Sequence, residues 1–346
     1  MSKVRDSNIE LLRIVATLFI VILHCNGWLL SICNKPALWD YGDYSIQIPR
    51  MIIQNITVIG VDLFILISGF YGIKPKLKSV INLYTCLAFF YVGSYLADVC
   101  INMFVYSNEI FSVKTFIKQF MVFSRENWYI NCYLFLMLLS PVLNVFMDNV
   151  SKKTATWYLS IFLVCSFYFG CIQNHNYFYF NEGYSVTMMI LVYLIGRYMR
   201  IHLSEKIKTI KYSYLVYAYL VSLVLLIGNY LLSKFTISSL EAYNNPIIIL
   251  SAVCFFWLFY RMPTFRNKFI NAIGTSCLSV YIFHTCAPWI GYLIKTNEYF
   301  FYNLNFFSYA IVMLVVIGLI FAISVVLDKI RLFIFKPVLN SKLLKK

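Results

Sequence analysis

From Phe306 to Leu327 the chain runs without one charged side chain. A hydrocarbon core of roughly 30 Å needs about 20 apolar residues per helix, so a run of this kind is long enough to cross one. Inside lipid every backbone N–H and C=O must be satisfied within the protein, which leaves the helix as the default spanning element. Comparable runs recur near 8–30, 51–73, 79–105, 127–147, 154–172, 184–200, 212–233, 246–261 and 269–293, and 306–328 completes the set. The expectation is an all-α, polytopic transmembrane bundle of about ten spans, forming a single domain over 1–346. Composition agrees: 61% of residues are hydrophobic and only 12% charged, where a globular chain averages about 25% charged.

The charges that remain are distributed unevenly. Of 29 Lys and Arg, a ten-span layout puts 21 on the side of the termini and 7 on the other, with Arg13 inside a span. By the positive-inside rule both termini are expected in the cytosol. A formal net charge of +15 first invites a nucleic-acid partner. Its small clusters between apolar runs are instead topology signals, and no nucleic-acid partner is expected. The ten cysteines show no C-x-x-C pair and no metal spacing, so neither a disulfide framework nor a metal site is expected. The first apolar run carries a charged face and no A-x-A site, which argues against a cleaved signal sequence.

That first run carries the ionisable residues of most interest, because a titratable group inside a span is costly and usually faces the bundle interior or a wet cavity. Arg13 and His24 are eleven residues apart. At about 100° per residue this is three turns plus about 20°, one face of the helix and roughly 16 Å along it. Glu10 precedes Arg13 by three residues on the same face, and such a pair can neutralise itself. Arg13 fits either a cytosolic anchor or part of a site. His24 fits either a packing residue or a base that takes a proton from a hydroxyl, the step that acyl transfer needs.

The stretch from Arg5 to His24 resembles the opening signature of acyltransferase family 3, in which an Arg or Lys, ten residues and a His mark the first span. Three later stretches resemble the same family in the same order. They are Gly60-Val-Asp-Leu-Phe-Ile-Leu-Ile-Ser-Gly-Phe70, then Asn127-Trp-Tyr followed by Leu139-Ser-Pro-Val-Leu143, and Gly274-Thr-Ser-Cys-Leu-Ser-Val-Tyr-Ile-Phe-His284. The resemblance implies a multi-pass O-acyltransferase of a bacterial plasma membrane. It would move acetyl from cytosolic acetyl-CoA to a hydroxyl of a cell-envelope polysaccharide or its lipid-linked precursor, with no metal. His24 would act as general base or acyl carrier, with Arg13 and Glu10 completing the catalytic set. One departure stands out: where family members often carry Arg-x-x-Arg after the second span, this chain has Lys74-Pro-Lys-Leu-Lys78. Positive charge is kept and bidentate guanidinium geometry is lost.

Other residues have two readings each. Lys74, Lys76 and Lys78 are a topology signal and a candidate site for the donor phosphates. Trp128 and Tyr129 suit an interfacial aromatic belt and equally a sugar-stacking surface. His284, with Tyr281 three residues before it and Ser276 nearby, is either a packing residue of the ninth span or part of a substrate-lining face. Asp62, buried if the second span is right, is expected to pair with an Arg or Lys. His175 and His202 are expected in loops. A flippase or a polymerase of lipid-linked sugars is the rival class. Either would call for large polar external loops or a basic central channel, which this chain lacks.

Overall fold

The structure is a computed structural model and describes residues 6–28, 44–105, 111–124, 127–173, 179–233 and 242–341. His175 lies outside them. Among the described residues the regular structure is helical throughout. The principal helices are α1 (Ser7–Leu23), α2 (Tyr44–Thr57), α3 (Gly60–Tyr71), α4 (Leu77–Val105), α5 (Trp128–Asn149) and α6 (Lys152–Phe167). They continue with α7 (Val186–Tyr198), α8 (Tyr212–Ser233), α9 (Pro246–Arg261), α10 (Cys277–Thr285), α11 (Ala287–Asn303) and α12 (Phe306–Ile334).

Among the described residues eight helices are long and apolar enough to cross a membrane, and they coincide with eight of the ten expected spans. Of the other two, one has the expected bounds and one differs from expectation in form. Pro246–Arg261 is apolar but only 16 residues long. The expected span 269–293 is not one helix: α10 and α11 meet at an angle of 78°. Pro288 explains the break, since it has no N–H for the carbonyl of His284 and its ring would collide with that carbonyl. The chain turns at Cys286 (φ −64°, ψ 135°) and Pro288 becomes an early residue of the next helix. His202 also departs from expectation. It lies in a π-helical turn, Met199–Leu203, with its ring 5.0 Å from that of Tyr198.

The chain packs as two compact units. The first comprises 1–23, 35–75 and 127–271, and the second 24–34, 76–126 and 272–346. In the first unit α3 is the central helix, packed on α1, α7 and α9. Its glycines explain how closely. A Cβ on Gly69 would run into the backbone carbonyl of Tyr193, and one on Gly196 would come within 2.5 Å of the Leu66 carbonyl oxygen. The α3 and α7 backbones therefore touch. Small residues that permit such contact are how helices associate in lipid, where the hydrophobic effect gives no drive between spans. Past α3 the chain is held by a closed set of hydrogen bonds. Tyr193 donates its hydroxyl to Asn144 Oδ1 (2.8 Å) and accepts from the Ile73 N–H (2.9 Å), while Asn144 donates back to the Ile73 carbonyl (3.0 Å).

The second unit is built from α4, α10, α11 and α12, with the π-helical turn His24–Trp28 against α11. A buried ion pair clamps it. Arg331 binds Asp328 at 2.8 Å and donates to Asn82 Oδ1 (2.9 Å) and Thr85 Oγ1 (3.2 Å) on α4. Asp328 in turn accepts from Ser276 (2.7 Å), the residue that precedes α10. One carboxylate thus ties the start of α10 to α12 and, through Arg331, to α4.

Candidate functional site

At the far end of α10 from that clamp, in its last turn, sits His284, 2% exposed. Its Nδ1 lies 2.7 Å from the Val280 carbonyl oxygen and its Nε2 lies 2.9 Å from Nδ1 of His24. A carbonyl only accepts, so Nδ1 of His284 carries the hydrogen. With both rings neutral, Nε2 of His284 must then accept, and His24 must donate from Nδ1. The tautomer of His24 follows: its lone pair is on Nε2. A fixed acceptor behind an imidazole is how proteins choose which ring nitrogen is basic.

His24 is held there by the backbone as well. It opens the π-helical turn that continues α1, and in that turn the Cys25 carbonyl accepts from Asn297 Nδ2 of α11 at 2.8 Å. Asn297 Oδ1 is itself bound by the Tyr309 hydroxyl of α12 at 2.6 Å. Tyr281 packs edge-on to the His284 ring, centroids 5.9 Å apart. Of the residues singled out in the sequence, the second unit therefore brings His24, His284 and Tyr281 together. Ser276 is not with them: it is fully buried at the opposite end of α10, donating to Asp328 and accepting from Lys329 (3.0 Å). Lys76 and Lys78 are exposed, and Lys78 reaches Asn340 at 3.4 Å.

The first unit holds the remaining candidates at two ends. At one, Arg13 pairs with Glu10 at 3.4 Å, Glu10 being buried and Arg13 partly exposed. The Tyr71 phenol lies within electrostatic range of Arg13, Arg200 and Tyr260, and the Arg200 guanidinium sits over the Phe70 ring at 5.3 Å from its centre. Lys74 is exposed just beyond. At the other end Trp128 begins α5, where it is partly exposed beside Tyr184 and Tyr243, while Tyr129 is buried and stacks on Tyr133 at 5.9 Å. Asp62 corrects an expectation. It is fully buried in the first turn of α3, and among the described residues neither carboxylate oxygen has a partner, Arg and Lys included.

Arg200, Tyr184, Tyr243 and Asp328 were not found by reading the sequence. Each is an ordinary residue at a helix end or within a long helix, and only folding gives it neighbours. The signal that did exist was Asp328 near the end of the most apolar run.

With eight membrane-length helices among the described residues, and with paired imidazoles and a buried ion pair, the chain is a multi-pass membrane protein with polar side chains within its helices. A family model described as an acyltransferase domain matches residues 6–328. The chain belongs to that family, acyltransferase family 3, and is a membrane acyltransferase. No curated protein matches it, nor does any solved structure.

Proposed function

We propose that this acyltransferase moves an acetyl group from cytosolic acetyl-CoA to a hydroxyl of a cell-envelope polysaccharide or its lipid-linked precursor, in a bacterial plasma membrane, with His24 as the base. The observation that supports this most directly is the His24–His284 pair backed by the Val280 carbonyl. It puts the basic lone pair of His24 on Nε2, the atom that would take the acceptor's proton. The hydroxyl proton passes to Nε2 as the hydroxyl oxygen attacks the thioester carbonyl; the C–S bond breaks and the CoA thiolate departs. Arg13, with Glu10 beside it, is assigned to the donor and its charge. Lys74, Lys76 and Lys78 would attract the donor phosphates at the membrane surface, since basic groups near that surface attract anions. Trp128 and Tyr129 are assigned to the acceptor side.

Mass spectrometry of envelope glycans from cells with and without the gene tests the reaction. Acetyl-unit mass differences on otherwise intact chains are expected. Loss of whole chains would favour a flippase or polymerase and contradict this reading.

A further inference from the structure

The end of the first unit that carries Trp128 holds more structure than an acceptor-side ring or two would need. Three helices, α5, α7 and α9, begin there, and each start is fixed by a side-chain cap. Asn127 accepts from the Ile130 N–H (3.3 Å), Ser185 from Met188 (3.2 Å) and Asn245 from Ile247 (2.9 Å). Each start also presents one aromatic ring: Trp128 as the first residue of α5, Tyr184 just before Ser185, and Tyr243 two residues before Asn245. The three rings meet. Trp128 lies 4.9 Å from Tyr184 at 71° and 6.2 Å from Tyr243 at 25°, and Tyr184 lies 5.3 Å from Tyr243 at 72°.

A strained segment locks this group. Tyr179, Asn181 and Glu182 all have positive φ (52°, 40° and 53°), a conformation that side-chain-bearing residues adopt at a cost. Packing holds them there. The Tyr243 N–H donates to the Glu182 carbonyl at 3.2 Å, and Gly183 (φ 89°) lies so close to Tyr243 that a Cβ would come within 2.6 Å of it. The segment brings the Glu182 carboxylate within electrostatic range of Tyr184 and leaves Asn181 exposed. Tyr184 itself is 44% exposed.

We infer that Trp128 and Tyr184, with the buried Tyr243 ring packed behind them and Glu182 and Asn181 at their edge, form a pyranose-binding platform for the acceptor glycan. The inference rests on the acyl-transfer reading for the identity of its ligand. The chemistry favours a sugar over a lipid headgroup. Aromatic faces are electron-rich and attract the C–H groups on a pyranose face, while a carboxylate and an amide at the rim bind hydroxyls. A phosphate headgroup would instead meet the negative charge of Glu182. An interfacial belt needs apolar rings at the right depth, with no need for a strained loop to hold them edge to face. The charge distribution along the chain puts this end of the unit on the outer side, where an envelope glycan is found.

The test uses membranes from cells producing the protein, labelled acetyl-CoA, and envelope glycan stripped of its O-acetyl groups by mild alkali. Tyr184→Ala should raise the acceptor KM by about two- to tenfold and leave the donor KM at the wild-type value. Tyr184→Leu, which keeps an apolar anchor but no ring, should behave like Tyr184→Ala, and Tyr184→Phe like wild type. A Tyr184→Leu protein with wild-type acceptor KM would overturn the platform, as would an equal rise in donor KM. Binding of the end-labelled, deacetylated glycan to solubilised protein, read by anisotropy, separates this inference from the reaction. Glycan bound by wild type and lost in Tyr184→Leu upholds the platform even where no acetyl moves. Transfer that continues with an unaltered acceptor KM removes the platform and leaves the reaction standing.

Discussion

At the scale of single residues the proposed chemistry depends on which nitrogen of His24 is basic. The Val280 carbonyl sets the hydrogen on His284, and His284 sets it on His24, which puts the lone pair of His24 on Nε2, the base of the proposed reaction. His24→Ala should lower kcat by about 10²- to 10⁴-fold, the usual contribution of a positioned base, with protein abundance near normal. His284 touches His24, and in the proposed reaction it would act through that ring as a positioning residue. His284→Asn should lower kcat less than His24→Ala while leaving the donor KM unchanged, and kinetics on both variants in membranes will show whether that order holds. For Arg13, a Lys replacement much milder than Ala would mean that charge alone matters, whereas two equally severe losses would mean that the guanidinium fork does. His24 was legible in the sequence because a titratable group stands out in an apolar run. Its partner was legible only as a histidine in another run. The pairing spans 260 residues, and no spacing rule reaches that far.

At the scale of helices, two contacts carry the packing and each has a measurable consequence. Gly69 lies against the Tyr193 carbonyl, where neighbouring backbone has no room to move. Gly69→Val should destabilise the protein by about 1–3 kcal/mol, seen as a lower Tm in detergent, whereas Gly93→Val, in open space on α4, should leave Tm unchanged. The Asp328–Arg331 pair is nearly inaccessible, and removing one partner strands the other. Asp328→Leu alone should cost about 3–5 kcal/mol, and adding Arg331→Met should restore much of that loss. A double variant no more stable than Asp328→Leu would contradict the pair's role as a clamp. Hydropathy made most helices legible, since lipid requires long apolar runs. It missed the bend between α10 and α11 because apolar residues continue on both sides of Pro288, and hydropathy carries no direction. The glycines of the Gly60–Phe70 stretch could be read as a motif, but their purpose appeared only when α1 and α7 were found against them.

At the scale of the whole molecule, the proposed orientation rests on the alternation of basic clusters between runs. In a cysteine-free background, a cysteine placed at Lys152 should be labelled only from the cytosolic side and one at Lys114 only from outside. Outside labelling at position 152 would break the ten-span layout. In the proposed reaction that layout would separate a soluble, highly charged donor from an acceptor on the other face, which is why a base deep within a span would suit it. The most direct measurement is transfer of labelled acetyl from acetyl-CoA into envelope glycan by membranes holding equal amounts of wild-type or His24→Ala protein. Wild-type membranes should label the glycan and release CoA in step with it, and His24→Ala membranes should do neither above background. Undiminished labelling by His24→Ala membranes would contradict the central claim.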